Sequence, residues 1–380
     1  MSDRIRVLVV DDSALMRKLI PRVLEGNSSI EVVGTAMDGA FALKKIEELN
    51  PDVVTLDLEM PRMDGLEALR MIMCRHPVPV IVFSTHSREG AHSTFKALAL
   101  GALDFVAKPK EAAAGNLESI SRELIEKILV AGRIASRKAA QLAFPEPPPV
   151  AKSRSRKPLP PSRFIAIGIS TGGPNALQYV LPQIPRDFPA CFLVVQHMPE
   201  GFTEMFAKRL DECCAVDVSE ARSGDLLVSG RVLIAPGNRH LFARRMPRGD
   251  IAVLSDGAPV NGHRPSADVL FHSAAQEFGS QAIGLLMTGM GEDGAEGLGA
   301  IKKAGGIALV QSEDSCVVSG MPKAAIARGH VSRVVPLESL GSVLVSLCGG
   351  ESSDLEKSDR AGKPAKMEKD ERTPAMPSRE

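Results

Sequence analysis

The 380-residue chain contains no tryptophan and only one tyrosine, Tyr179. Proteins that bind single-stranded nucleic acid usually stack bases on aromatic side chains, so this composition argues against that function. The 46 basic residues equal the 46 acidic residues in number, and therefore no net charge attracts the chain to nucleic acid or to a membrane surface. No apolar run approaches the roughly 20 residues that a membrane-spanning helix needs.

Cysteine is also scarce, and its spacing argues against two kinds of site. The six cysteines include one adjacent pair, Cys213 and Cys214, and none of them lies in a CxxC pattern. This spacing argues against a zinc site and against a disulfide framework. It favours a reducing compartment, and the first residues, MSDRIRVLVV, lack the cleavage region of a signal peptide. We therefore expect a cytoplasmic protein.

The chain is long enough for two domains, and its pattern predicts two of the α/β class. Apolar runs alternate with helical stretches five times in the first segment and again from Arg163 to Cys348, which predicts two doubly wound parallel sheets. The stretch FPEPPPVAKSRSRKPLPPS between them predicts an extended proline-rich linker. The C-terminal tail has mixed charges and no aromatic residue, which predicts disorder. The predicted parts are a first domain at 1–125, a linker at 126–162, a second domain at 163–348 and a tail at 349–380.

Polar residues follow or end four apolar runs of the first domain. They are Asp11 and Asp12, then Asp57, then Ser84, and finally Lys108. Because the carboxyl ends of parallel strands meet at one edge of a sheet, we expect these side chains to converge. Three converging carboxylates repel each other and call for a hard cation such as Mg²⁺. A lysine and a hydroxyl beside them would suit a phosphoryl group.

This pattern resembles the receiver domain of two-component response regulators, a flavodoxin-like fold, over residues 1–125. The resemblance implies that Asp57 is the phospho-acceptor and that Asp11, Asp12 and Asp57 hold Mg²⁺. It implies further that Ser84 and Lys108 contact the phosphoryl group and that Phe105 is the switch aromatic. A lone aspartate at position 57 would usually only begin a loop, but its partners in register argue against that interpretation.

Three polar residues of the second domain occupy similar positions after apolar runs. Ser170 ends FIAIGIS, His197 ends FLVVQH, and Asp293 lies in LLMTGMGEDG at a predicted helix start. In a parallel sheet they would gather at the carboxyl edge, where a serine, a histidine and an aspartate can act as nucleophile, general base and orienting group. The adjacent glycines of STGG would bring backbone amides close to a substrate.

Each of these residues also has a plainer interpretation. STGG is equally compatible with a phosphate-binding turn, His197 with a hydrogen-bonded histidine at a strand end, and Asp293 with a helix N-cap. The order of the three residues differs from that of α/β-hydrolases, and the GxSxG pattern is missing. Taken singly, each plain role is at least as well supported by the residues alone.

The motifs GISTGGP, QHMPEGFT, HRPSADVLF and LLMTGMGEDGAEG, behind a receiver and a linker, resemble the chemotaxis protein-glutamate methylesterase family, CheB. The resemblance implies a Rossmann-like domain in which Ser170, His197 and Asp293 form a triad, with Thr171 and Met290 helping to position or stabilise the oxyanion. It implies hydrolysis of glutamate γ-methyl esters on the cytoplasmic helices of chemoreceptors, with release of methanol, and deamidation of receptor glutamines. The esterase would need no cofactor.

The same resemblance assigns a weaker role to the segment before the predicted helix at Ser266. It implies that His263, Arg264 and Pro265 line the substrate cleft, whereas the residues alone are equally compatible with a loop and an N-cap at Ser266.

The domain order predicts that a receiver regulates a hydrolase. By resemblance, a chemotaxis histidine kinase would phosphorylate Asp57 and thereby uncover the cleft for methyl-accepting receptors, the substrate. Nothing in the sequence requires more than a monomer, membrane insertion or nucleic acid. The main alternative is a signalling scaffold with an inactive second domain. A transcription regulator lacks a basic helix here, and a nucleotide-binding enzyme lacks GxGxxG and the Walker lysine.

Overall fold

The computed structural model describes residues 4–85, 87–108, 114–134, 148–150 and 159–349. The first domain is a five-stranded parallel sheet in the order β2-β1-β3-β4-β5. Strands β1 to β5 span Ile5–Val10, Ile30–Ala36, Val53–Asp57, Val80–Ser84 and Asp104–Ala107. Helices α1 to α5 span Met16–Glu25, Gly39–Leu49, Gly65–Arg75, Arg88–Ala99 and Ala114–Ala131. This strand order is that of flavodoxin-like folds, as predicted.

The second domain is built on a seven-stranded parallel sheet in the order β14-β13-β12-β6-β7-β9-β8. Strands β6 to β14 span Arg163–Ile169, Ala190–Gln196, Asp217–Glu220, Arg231–Ile234, His240–Arg244, Ile251–Ser255, Ala282–Leu286, Ile307–Gln311 and Arg333–Val335. Helices α6 to α11 span Gly173–Val180, Phe202–Cys213, Ala267–Phe278, Ala295–Lys303, Gly320–Ala327 and Leu337–Cys348. The chain leaves β6 toward β7 and later returns on its other side with β12, so the switch point of the sheet lies beside β6.

The central strands form because their side chains are buried on both faces. Every residue of β3, β7 and β12 is buried, which is typical of parallel strands covered by helices on each side. Asp38 and Asp64 begin α2 and α3 by accepting hydrogen bonds from backbone N–H groups of the first turn, as N-caps do. The two-domain doubly wound fold predicted from the sequence is confirmed.

Several short elements differ from the sequence prediction. The edge strands β8 and β14 and the strand β10 have few apolar residues in a row and were not predicted. The run at 251–254 was predicted among the strands of the second domain, and as β11 it pairs antiparallel with β10 in a separate two-stranded sheet. Ala252 is the only buried residue of β11, so this pair is less covered than the strands of the main sheet.

The two domains pack closely against each other. The rings of Phe95 and Phe206 are stacked with centroids 5.5 Å apart, and the rings of Phe105 and Phe202 lie 4.7 Å apart. The Asn175 side chain donates a hydrogen bond of 2.8 Å to the carbonyl of Leu98. The face of the first domain that carries α4 and β5 therefore packs against helices α6 and α7 of the second domain.

The predicted linker and tail are only partly described. Helix α5 ends at Ala131, past the predicted boundary at 125, and residues 135–147, 151–158 and 350–380 lie outside the described residues. Val150 donates a backbone hydrogen bond to Glu212, so one described part of the linker touches the second domain. None of the helices in the described part of the chain is long and apolar enough to cross a membrane.

Candidate active site and phosphorylation site

The acidic residues of the first domain converge as predicted. Asp57 ends β3 and Asp11 follows β1, and one oxygen from each of Asp11, Asp12 and Asp57 lies within 4.8 Å of the others. The Lys108 Nζ is 2.7 Å from an oxygen of Asp57 and 3.4 Å from an oxygen of Asp11. Three carboxylate oxygens at this spacing match the ligands that Mg²⁺ prefers, so the residues present fit a magnesium ion.

Burial leaves these carboxylates short of positive charge. Loss of water raises the pKa of Asp57, and the hydrogen bond from Lys108 offsets only part of that effect. Burial raises the pKa of Asp11 in the same way, again only partly offset by Lys108. One lysine therefore does not balance the buried acids, and a bound dication would lower both pKa values.

Ser84 and Phe105, the remaining residues implied by the resemblance to receivers, are both engaged away from the carboxylates. The Ser84 hydroxyl donates to the carbonyl of Gly90 at 3.0 Å and accepts from Thr94 at 2.5 Å, so it is tied to helix α4. Phe105 is only 3% exposed, and its ring packs against Phe202 of the second domain. A movement of this ring would therefore disturb the contact between the two domains.

The three predicted triad residues come together at the switch point of the second sheet. Ser170 follows β6 and His197 follows β7, and these strands pair in register up to Ile169 and Gln196. Ser170 and His197, which follow these paired residues, therefore lie side by side and line the same cavity. The His197 Nε2 lies 2.8 Å from Oδ2 of Asp293.

Asp293 is held by the start of helix α8 rather than capping its own helix. Helix α9 begins after Gly294, while the Asp293 carboxylate accepts hydrogen bonds from the Ser266 hydroxyl at 2.6 Å and from the Ala267 N–H at 2.7 Å. Burial alone would raise the pKa of Asp293, but the hydrogen bonds from His197, Ser266 and Ala267 outweigh it and lower the pKa to about 2. The carboxylate is thus ionised at neutral pH, and the N-cap interpretation is wrong.

The histidine is oriented through the opposite nitrogen from the one used in chymotrypsin-like triads. There the aspartate accepts from Nδ1, whereas here Asp293 lies against Nε2. With Nε2 protonated and donating to Asp293, the lone pair resides on Nδ1. That atom is buried and has no hydrogen-bond partner among the described residues. It is therefore the nitrogen that can accept the proton of an attacking hydroxyl.

A cavity of about 240 Å³ lies over Ser170 and His197. Residues from both domains line it, and all of the weaker sequence candidates are among them. From the second domain these are Thr171, His263, Arg264, Pro265 and Met290, and from the receiver they are Asp104, Glu123, Glu126 and Lys127. The receiver therefore forms part of the wall of the cavity.

Asp104 makes the most direct link between the domains, and the sequence did not predict it. Its carboxylate accepts a hydrogen bond of 2.7 Å from the Thr171 hydroxyl and pairs with Lys127 at 3.2 Å. Asp104 precedes Phe105, the predicted switch aromatic, on β5. Its partner Thr171 follows Ser170, the predicted nucleophile. Only the docked arrangement of the domains brings them together.

Gln196 is a second residue that sequence reasoning missed. Its amide donates to the carbonyls of Ser170 at 3.0 Å and His197 at 3.1 Å, which ties the ends of β6 and β7 together. A Cβ at Gly173 would lie only 2.0 Å from the Gln196 side chain, so the second glycine of STGG makes room for this bridge. A polar residue at the end of the wholly apolar run ACFLVV is the signal that pointed to it.

Comparison with known proteins places both domains. The sequence profile described as response regulator receiver domain matches residues 7–116, and the one described as CheB methylesterase matches residues 165–344. A protein-glutamate methylesterase/protein-glutamine glutaminase of Koribacter versatilis is 61% identical over 351 residues, which cover 90% of this chain and 95% of that protein.

More distant relatives carry the same description over the same extent. One from Symbiobacterium thermophilum is 45% identical and covers 92% of this chain and 99% of its own length. One from Pyrococcus horikoshii is also 45% identical and covers 91% of this chain and 94% of its own length. The chain belongs to the family of protein-glutamate methylesterases/protein-glutamine glutaminases, in which a response regulator receiver precedes a CheB methylesterase domain.

Proposed function

We propose that this protein acts in the cytoplasm as a phosphorylation-activated esterase. It hydrolyses glutamate γ-methyl esters on the cytoplasmic domains of chemotaxis receptors, releasing methanol, and deamidates receptor glutamines. The observation that carries this proposal is the His197–Asp293 pair beside Ser170 in a cavity, within a chain of the methylesterase family.

In this reaction Ser170 is the nucleophile and His197 the general base. The Ser170 hydroxyl attacks the ester carbonyl while its proton moves to His197 Nδ1, forming a tetrahedral intermediate. The intermediate collapses as His197 returns the proton to the leaving methoxide, which departs as methanol. Water then attacks the acyl-enzyme by the same proton route and frees the glutamate. An amide substrate would lose ammonia in place of methanol.

Asp293 and the start of helix α6 supply the charge stabilisation. The ionised Asp293 holds the proton on Nε2 and stabilises the imidazolium that forms during attack. Thr171 follows the nucleophile, two residues before α6 begins, and Met290 lines the same cavity. Both stand where backbone N–H groups can approach the developing oxyanion.

The receiver would control access to this site. Asp57 accepts the phosphoryl group from a chemotaxis histidine kinase, and Asp11, Asp12 and Asp57 would hold Mg²⁺. The ion would neutralise charge on the phosphoryl oxygens during transfer. Lys108, which already contacts Asp57, then contacts the phosphoryl group, and Ser84 turns toward it, which requires Ser84 to leave its bonds to α4.

The unphosphorylated protein is held closed by the receiver side of the interface. Asp104, Glu126 and Lys127 wall the cavity, and the Asp104–Thr171 hydrogen bond and the Phe105–Phe202 contact hold the domains together. Movement of Phe105 on phosphorylation would disturb both contacts because Asp104 is its neighbour. A hundredfold shift toward the open form requires that the phosphoryl group favour it by about 2.7 kcal/mol.

Methanol release from methylated receptor membranes tests this function, with and without acetyl phosphate and Mg²⁺. The proposal predicts release that rises with the phosphodonor and disappears in Ser170→Ala under both conditions. Folded wild-type protein that releases no methanol from a competent substrate in either condition would favour the signalling scaffold.

A further inference from the structure

The ring of His263 lies flat against the ring of His197. The two ring centroids are 3.9 Å apart and the planes differ by 7°. His263 lies in the HRPSAD segment and lines the cavity. Such a close parallel stack places the ring of one histidine across the face of the other, where it limits how far that ring can tilt.

The segment that carries His263 is itself held firmly. His263 and Val260 exchange backbone hydrogen bonds of 2.9 and 3.0 Å. The neighbouring Arg264 side chain donates to Asn238 at 2.6 and 3.0 Å and to the carbonyls of Asp256 and Gly257 at 3.0 Å each. The stacking ring is thus mounted on a fixed loop rather than on a free side chain.

The same segment also holds the carboxylate partner of His197. The two residues that follow Pro265 provide the Ser266 hydroxyl and the Ala267 N–H, both of which donate to Asp293. Residues 263–267 therefore stack on the ring of His197 and donate hydrogen bonds to the carboxylate of Asp293. A single rigid segment sets the relative position of the two groups.

His197 needs such a support because one hydrogen bond does not fix a ring. Its Nε2 is bonded to Asp293, but Nδ1 has no hydrogen-bond partner among the described residues. A ring held at one atom can still tilt about that bond, and general base catalysis depends on alignment with the attacking hydroxyl. Misplacement by about 1 Å can cost roughly a hundredfold in rate.

The charge of His263 also suits this position. Burial lowers the pKa of His263, and the neighbouring His197 lowers it further, to about 4. The ring is therefore neutral at neutral pH and does not repel His197 when His197 becomes an imidazolium.

We propose that His263 is a positioning residue for the hydrolysis: its ring fixes the plane of the His197 imidazole so that Nδ1 points at the Ser170 hydroxyl. This rests on the proposed function for its catalytic consequence, but the stacking role itself is independent of the substrate. It differs from the cleft-lining role suggested by the sequence, in which His263 would contact the substrate.

The kinetic test uses the full-length protein with acetyl phosphate, Mg²⁺ and methylated receptor membranes. His263→Ala removes the stacking ring, whereas His263→Phe keeps a flat aromatic ring that has no titratable nitrogen. We expect His263→Ala to lower kcat roughly 10- to 100-fold with KM unchanged, and His263→Phe to recover most of the loss. His272→Ala, which removes an exposed histidine of α8, is the matched control and should match wild type.

Two kinetic outcomes would overturn the proposal. Unchanged kcat in His263→Ala would show that the stack does not matter to the reaction. A raised KM with unchanged kcat, not rescued by phenylalanine, would show that His263 contacts the substrate instead. Circular dichroism and thermal unfolding of each variant would establish that the variants are folded.

A second measurement needs neither substrate nor turnover. In histidine-labelled full-length protein, the proton on His197 Nε2 that is donated to Asp293 gives a downfield NMR signal, assigned by its loss in His197→Gln. The proposal predicts that this signal shifts and broadens in His263→Ala and is retained in His263→Phe. An unchanged signal in His263→Ala would overturn the positioning role. A signal that depends on His263 in a protein without esterase activity would instead overturn the proposed function alone.

Discussion

The receiver and hydrolase sites occupy equivalent edges of two parallel sheets, yet their buried carboxylates are balanced differently. In the receiver, burial raises the pKa values of Asp11 and Asp57 because Lys108 alone does not offset it. In the hydrolase, three hydrogen-bond donors lower the pKa of Asp293 to about 2. The receiver site is therefore completed by a cation and a phosphoryl group, whereas the His197–Asp293 pair of the hydrolase site is already formed as folded.

This difference indicates how regulation works. A site that lacks positive charge responds strongly when Mg²⁺ and a phosphoryl group arrive, because they change its electrostatic balance. In the hydrolase site the Asp293 carboxylate already has its hydrogen bonds, so phosphorylation has no charge imbalance to correct there. Phosphorylation should therefore change access to the triad rather than its geometry, and the contact between Asp104 and Thr171 is where the two sites meet.

The largest expected effect tests whether the hydrolase site is the only source of activity. Ser170→Ala should reduce kcat roughly 10⁶-fold, both with and without acetyl phosphate, because the nucleophile is removed. Methanol release measures the loss, and phosphorylation of Asp57 should be unaffected. Residual release within tenfold of wild type would place the nucleophile elsewhere.

The next effect tests whether Asp293 is required as an ionised group. Asp293→Asn keeps the shape but favours the wrong histidine tautomer, so kcat should fall by about 10⁴-fold. Stopped methanol-release assays on the phosphorylated protein measure this change. A fall of less than tenfold would mean that Asp293 only anchors the start of α8, through its hydrogen bonds from Ser266 and Ala267.

Loss of the phospho-acceptor in the receiver should have a smaller effect on methanol release. Asp57→Asn should abolish activation by acetyl phosphate, which is expected to be about 100-fold at low receptor concentration, while basal release stays unchanged. The exposed Glu48→Gln in the same domain is the matched control and should be activated like wild type. Activation that survives in Asp57→Asn would place the phosphorylation site at another residue.

Loosening the interface should imitate phosphorylation in part. Asp104→Ala removes the hydrogen bond to Thr171 and the pairing with Lys127, so the closed form should lose about 1 kcal/mol. Basal release at low receptor concentration should rise about fivefold to tenfold, with less further activation by acetyl phosphate. Basal release that falls would mean that Asp104 supports the active form.

The smallest effect concerns the pH dependence of stability. The unfolded chain protonates His263 near its ordinary pKa of 6.5, whereas the folded protein does so only near 4. Between these values the unfolded state binds more protons, so acidification from pH 6.5 to 4 lowers the free energy of unfolding, by at most about 3 kcal/mol from this group. His263→Phe removes this contribution.

Urea titrations at several pH values measure that difference. As the pH falls from 6.5 to 4, the free energy of unfolding of His263→Phe should rise relative to that of wild type. Above pH 7 the difference between the two proteins should stay constant. A constant difference between the two proteins across this range would contradict the low pKa of His263.

The site residues that lie at strand ends could be predicted from the sequence. Asp57, Ser170 and His197 each follow a run of apolar residues, and parallel pairing then brings them together. Residues whose role depends on loop shape or domain docking gave no such signal. Asp104 meets Thr171 only across the interface, and His263 meets His197 from a loop held by backbone and side-chain hydrogen bonds.

The strand predictions show the same limit. Buried strands such as β7 read as continuous apolar runs, whereas the three- and four-residue edge strands β14 and β8 are stabilised by pairing that no local pattern records. The predicted N-cap at Ser266 is confirmed, since its hydroxyl accepts from Val269. Its second role, donation to Asp293, required knowledge of a residue 27 positions away.

The most direct test of the account is the dependence of methanol release on receptor concentration, with and without acetyl phosphate and Mg²⁺. If phosphorylation only opens a site that is already assembled, KM should fall about 100-fold while kcat stays the same, because the open fraction limits binding and not chemistry. A rise in kcat at unchanged KM would contradict the account, since the triad would then be assembled by phosphorylation.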